Sequence, residues 1–155
     1  MPNVVTAEPR SGAVTRAERP PPLQRHAVYI ELLGKGGLYG IGYDVQLSSG
    51  FGLGITGSAY IVDDQRVLTL SPYLSVHLIA GRRHRWFAHL GPRLSSVALQ
   101  SNVPQWTPPT KTGAGAQLAT GWEYRNRILV RTFVVGVAGR GGIAPWAGTS
   151  IGVAF

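Results

Sequence analysis

The chain contains no cysteine. That absence excludes a disulfide scaffold, a thiolate zinc site, a cysteine nucleophile and a lipidated N-terminal cysteine. Charge is also scarce. Only 14% of residues are Asp, Glu, Lys or Arg against 44% hydrophobic, which separates the chain from disordered basic tails. No apolar run approaches the roughly 20 residues that a membrane-spanning helix needs. One methionine, with few glutamates and lysines beside 21 glycines, argues against a helical domain. What is present is 155 residues, one domain on ordinary size grounds, with the composition of an all-β chain and a net charge of +8.

Residues 1–25 stand apart. They hold Pro9, Pro20, Pro21 and Pro22, four arginines and two glutamates, without a periodic apolar pattern. Such a segment buries too little surface to offset chain ordering and reads as a flexible arm. It has no apolar signal-peptide core, so export would require that such a segment had already been removed. The arginines read as a solvated tail. No interleaved aromatic and basic surface accompanies them, and no nucleic-acid partner is expected.

From His26 onward the pattern is alternation, the signature of strands with two different faces. Eight segments are predicted: 26–33, 37–47, 51–62, 67–80, 86–99, 113–125, 127–138 and 146–155. Short polar or glycine-rich connections join most of them, with longer ones over 100–112 and 139–145. Eight strands of about ten residues fit the arithmetic of a closed antiparallel barrel.

The fourth segment decides which face is inside. One face carries Leu68, Leu70, Pro72, Leu74, Val76 and Leu78; the other carries Thr69, Ser71, Tyr73, Ser75 and His77. A soluble barrel with the aliphatics inside needs a charged outer face, yet the strand segments carry no lysine, and Lys35 falls in a turn. Inverting the barrel resolves the conflict, with aliphatics toward lipid and small polar groups in the lumen. A soluble lipocalin-like barrel is the competing fold. The second, third and sixth segments follow the inverted parity, with inward glycines suiting a narrow interior. The seventh is ambiguous, being apolar on both faces except at Arg131 and Thr132.

Register gives an internal check. A Ser48-Ser49-Gly50 turn sets Leu47 opposite Phe51 on the lipid face. Pairing about Arg83 sets Val76 opposite Leu90, and His77 opposite His89 on the inner face. Tyr43, Phe51, Trp86, Phe87, Trp122, Tyr124 and Phe155 gather near one set of strand ends, with Tyr39 and Trp146 near the other. That grouping matches aromatic girdles at two headgroup boundaries.

The last ten residues, Trp146-Ala-Gly-Thr-Ser-Ile-Gly-Val-Ala-Phe155, resemble the closing strand of bacterial outer-membrane β-barrels. The shared features are the C-terminal aromatic Phe155 and apolar Val153 and Ile151 at alternating positions before it. The stretch from Tyr29 to Tyr43 is similar to the opening hairpin of small, eight-stranded barrels of the OmpA/OmpX architecture. The resemblance covers 26–155, and Thr149 departs from it where a larger apolar residue is usual. It implies that Ile151, Val153 and Phe155 form an assembly signal read by the barrel assembly machinery. It also implies an outer-membrane location with both termini periplasmic, and contact with lipid and lipopolysaccharide.

The inward face collects Glu31, Asp44 and Glu123 with Arg93, Arg125 and Arg131. Charges in a narrow lumen need partners, so an internal salt-bridge plug is the plain expectation. A selective pore lined by the same residues is the alternative. His77 and His89 form the sharpest single constellation, with Ser75 as the neighbouring hydroxyl. No carboxylate is expected beside the pair, so structural hydrogen bonding is favoured over metal binding or catalysis. Arg82, Arg83 and Arg85 make a basic turn suited to anionic headgroups or a partner.

The sequence therefore reads as an all-β, eight-stranded antiparallel transmembrane β-barrel, residues 26–155, with a flexible periplasmic arm, residues 1–25. Its expected role is non-enzymatic, as a membrane anchor or small subunit of a larger membrane complex, without metal or cofactor. A narrow pore for small solutes and a lipid A-modifying enzyme are the alternatives.

Overall fold

Alternation produces strands throughout the computed structural model, which describes residues 24–62, 65–81, 83–99, 110–139 and 141–155. The strands are β1 (His26–Gly34), β2 (Gly37–Gln46), β3 (Phe51–Val62) and β4 (Gln65–Ala80), then β5 (His84–Leu99), β6 (Thr110–Arg125), β7 (Ile128–Gly139) and β8 (Gly142–Ala154). Each pairs antiparallel with its sequence neighbour, and β1 pairs with β8 to close the barrel. Closure leaves no unpaired sheet edge. The last predicted connection is shorter than expected, because Gly139 pairs with Gly142 and Pro145 lies inside β8 opposite Gly136.

The wall is inverted relative to a soluble protein. Ile41 is 67% exposed and Ile151 60%, whereas Glu31, Glu123 and Arg131 are at most 1% exposed. Ile30 aligns with Ile41 on one side and with Ile151 on the other, so aliphatics form continuous rows around the outside. A water-soluble monomer seldom exposes a contiguous apolar band of that extent. β7 takes the parity that its sequence left open, with Leu129, Arg131, Phe133 and Val135 inward.

Large interior side chains are accommodated by glycines. A Cβ at Gly42 would run into the Tyr29 ring, and one at Gly54 into the Tyr73 ring. The Ser48–Gly50 turn places Leu47 against Phe51 as expected, with a backbone hydrogen bond of 3.0 Å from Leu47 N to Phe51 O. The β4–β5 hairpin departs from expectation. Pairing shifts between His77 and Ile79, so Leu74 faces Leu90, Ser75 faces His89, and His77 faces Phe87. The hairpin already pairs Ala80 with Arg85, one residue away from the expected register, and the β-bulge at Leu78 adds a residue to β4 that makes the shift two.

Two expected girdle residues also turn inward. Phe87 is completely buried and Trp146 is half-buried, donating from Nε1 to Gly34 O at 3.1 Å. The outer belt at the end holding the C-terminus keeps Tyr43, Phe51, Trp86, Trp122, Tyr124 and Phe155, joined by His26 and His84. His26 stacks on Tyr43 and Phe155, and His84 on Trp122. Of the proposed arm, only Gln24 and Arg25 lie within the described residues.

Candidate functional site

Among the described residues, the lumen concentrates the buried charge. Its centre is a four-residue ionic cluster built by three strands: Asp44 from β2, Glu123 and Arg125 from β6, and Arg131 from β7. Arg131 Nη2 bridges both acids, reaching Asp44 Oδ2 and lying 2.5 Å from Glu123 Oε2, while Arg131 Nε donates to Glu123 Oε2 at 2.6 Å. Arg125 repeats the arrangement from below, with Nη2 on Asp44 Oδ1 and Nε 3.2 Å from Glu123 Oε1. Both guanidinium groups therefore bridge the same two carboxylates. The strand register makes this possible, since Glu123 aligns directly with Arg131. The Arg131 plane also lies over Tyr29, 5.1 Å from its centroid, and over Phe87 at 5.7 Å.

A second ion pair closes the lumen above the first. The β1–β2 hairpin tip folds over the mouth, aided by Leu33 in a left-handed conformation (φ 50°) and Gly37 at φ 125°. Positive φ is costly for Leu33 and natural for Gly37. The turn carries Lys35 into complete burial, where Nζ meets Glu31 Oε2 at 2.6 Å. Glu31 Oε1 accepts from the Lys35 backbone N–H, so a single carboxylate holds both ends of the turn residue. Inward hydroxyls secure the tip, Ser58 Oγ donating to Gly36 O at 2.5 Å and Ser71 Oγ to Lys35 O at 3.4 Å. The ammonium stands 4.6 Å from the Phe133 centroid and 4.9 Å from that of Tyr73.

Between the two ion clusters lies an aromatic layer. His89 is sandwiched by Tyr73 at 4.3 Å and Phe87 at 4.2 Å between centroids. Tyr73 and Tyr29 share a hydroxyl hydrogen bond of 2.7 Å, and Tyr29 reaches Thr56 at 3.0 Å. Ionic, aromatic and ionic layers thus follow one another along the axis.

Several expected site residues sit as the sequence implied. Glu31, Asp44, Glu123, Arg125 and Arg131 are all inward and buried. Arg93 is inward but does not join them; it is half-buried at the far mouth, 5.4 Å from the Trp146 ring centroid. There it lines a cavity of about 330 Å³ with Ser95, Gly113, Gly115 and Val137. The third cation of the plug is Lys35, which periodicity hid because a turn residue has no strand parity.

His77 and His89 both face inward, yet the observed register sets His77 opposite Phe87 and His89 opposite Ser75. His77 also has a carboxylate neighbour that was not expected, with Nε2 3.8 Å from Glu123 Oε1 and 3.4 Å from Gln46 Nε2. Among the described residues no cluster of three or more His, Cys, Asp or Glu residues could hold a metal. In the basic turn, Arg83 is exposed but Arg85 points into the lumen and is 4% exposed, while Arg82 lies outside the described residues. The turn is therefore not a uniform basic surface. Ile151, Val153 and Phe155 all project outward from β8 and its end.

No family model and no curated protein matches this sequence. Structural comparison does find a relative. The barrel is similar to the N-terminal β-barrel domain of Pseudomonas aeruginosa OprF, with a TM-score of 0.65 at 16% identity. The match covers 84% of this chain and 96% of that one. The chain has the fold of a small OmpA-like barrel. At that identity the likeness is one of strand number, closure and topology, and the layered lumen of this barrel is described from its own residues.

Proposed function

We propose that the chain is an integral outer-membrane β-barrel with a closed lumen, acting as a structural or interaction protein, such as a membrane anchor or a small subunit of a larger assembly. The observation that carries this reading is the plug: Asp44, Glu123, Arg125 and Arg131 neutralise one another across the lumen. Glu31 and Lys35 then block the same axis one layer away. Eight-stranded barrels have interiors only wide enough for side chains to fill, and here ionic layers fill it.

The outward aliphatic band and the aromatic belt at the C-terminal end support placement in a bilayer. An even strand number puts both barrel ends of the chain on one side, which we assign to the periplasm. Lipid and lipopolysaccharide are then the immediate surroundings. Exposed Ile151, Val153 and Phe155 suit recognition by the assembly machinery before insertion. The non-enzymatic reading draws on the placement of Ser75, His77 and His89. All three face the packed lumen, whereas a lipid substrate would approach the outer wall or the rims.

Planar-bilayer recording tests the closed lumen. The wild-type barrel should give no steady conductance at moderate voltage. Well-resolved, long-lived channels from purified wild-type protein would overturn the plug and restore the pore. Mass spectrometry of lipid A from cells with and without the protein tests the remaining alternative, for which the expected result is an unchanged spectrum.

A further inference from the structure

We propose that the lumen mouth at the C-terminal end is a carboxylate-binding site built on Arg85. Among the described residues, four buried cations face three buried carboxylates: Lys35, Arg85, Arg125 and Arg131 against Glu31, Asp44 and Glu123. Every one of those acids is already in an ion pair, and none of the pairs includes Arg85. Arg85 aligns with Glu123 across β5 and β6, but Arg125 and Arg131 hold that carboxylate. Arg85 Nε and Nη1 are buried without a hydrogen-bond partner among the described residues. A buried guanidinium with unused donors, where the buried cations outnumber the buried carboxylates by one among the described residues, is unfavourable until an anion completes it. The planar fork of donors matches a carboxylate.

The ligand has two available sources of the same chemistry. One is a free carboxylate entering from the end of the barrel that holds the C-terminus. The other is the chain itself. Of its seven acidic residues, Glu31, Asp44 and Glu123 are taken, and Asp63 and Asp64 join β3 to β4 at the opposite end. Glu8 and Glu18 precede β1 in sequence, and β1 begins at the barrel end that holds Arg85. Gln24 is seated at this mouth, its carbonyl accepting from Arg125 Nη1 at 3.3 Å. Six residues separate Glu18 from Gln24 in sequence, a reach of about 20 Å when extended, which is ample for a return to the mouth.

The test follows the Arg85 Nε–Hε signal by NMR in the full chain folded in detergent micelles, assigned with R85K, during titration with sodium acetate. Arg93, at the other mouth, serves as the internal reference. A saturable shift of Arg85 with Arg93 unmoved supports a free-ligand site. An Arg85 signal insensitive to acetate that shifts in E8Q/E18Q, and there becomes responsive to acetate, supports occupation by the arm. R85Q in the first case, and R85Q added to E8Q/E18Q in the second, should weaken the acetate response of neighbouring amides at least tenfold. The proposal is overturned if Arg85 moves neither with acetate nor in E8Q/E18Q, or if Arg93 shifts in parallel with it.

Discussion

Replacing Arg131 by methionine tests whether the ionic layer holds the barrel together. The stem volume is largely kept, and only the guanidinium is lost. Arg131 is 1% exposed and bridges Asp44 and Glu123, so its removal leaves two buried carboxylates with Arg125 alone between them. Breaking a buried pair by deleting one partner typically costs about 3–5 kcal/mol, mostly because the remaining charge is stranded. Asp44→Asn in the same chain removes the extra negative charge and leaves Glu123 paired with Arg125. The double variant should therefore recover at least half of the loss, although the single D44N change is itself destabilising. Reversible urea unfolding in lipid vesicles, followed by tryptophan fluorescence, yields all four corners of this cycle. A loss below about 1 kcal/mol for R131M would show that the layer fills space without contributing stability. Additivity of the two changes within about 0.5 kcal/mol would equally refute the shared-charge reasoning.

Three further outcomes are expected. Ile41→Lys, at an outward site aligned with Ile30 and 67% exposed, should cost about 2–4 kcal/mol in vesicles if it lies near the bilayer midplane, measured by the same unfolding assay; a near-neutral result would contradict the membrane placement. Gly42→Val should cost about 1–3 kcal/mol by forcing a side chain into the Tyr29 ring. Gly50→Ala, with nothing within 4 Å of the added carbon, should stay within about 0.5 kcal/mol, and equal effects at both sites would remove the packing argument. Phe155→Ala should lower the folded, heat-modifiable fraction in outer-membrane preparations several-fold while leaving refolding into detergent unchanged. Impaired refolding in detergent would instead assign Phe155, which stacks on His26 with centroids 5.8 Å apart, to barrel stability rather than assembly.

Much of the barrel is legible because a strand in a two-solvent wall obeys one simple rule. Thr69, Ser71, Tyr73, Ser75 and His77 form an inner face with no charged alternative outside, and parity alone then orients β4. Parity misleads where the two faces are chemically alike or the register changes. Phe87 and Trp146 are aromatics that could satisfy either a belt or a lumen. Alternation with inward His89 on β5 and outward Ile151 on β8 points both inward, beside His89 and over the Arg93 mouth, against what their aromatic character and strand-end position suggest. The His77–His89 pairing failed for a different reason. The hairpin turn is displaced by one residue, with Ala80 facing Arg85, and a bulge at Leu78 inserts another without any glycine or proline at that point to announce it.

The plug shows where pattern reasoning stops and charge accounting takes over. Glu31 looked like one of three acids awaiting three arginines, but its partner is a turn lysine four residues away. Such a contact depends on Leu33 and Gly37 bending the hairpin inward, a backbone event that strand periodicity does not encode. A signal was nevertheless present: only two lysines occur in the chain, and Lys35 lies between glycines at the tip of a hairpin next to an inward acid. Counting the lumen charges once Lys35 is included leaves Arg85 in excess, a residue the sequence had assigned to an exposed basic turn. Of the net +8, the buried groups of the described residues hold only one unit, neutral internal layers and one cation whose counter-charge comes from elsewhere. In a lumen closed by matched pairs, the unmatched group is the place to look for a ligand.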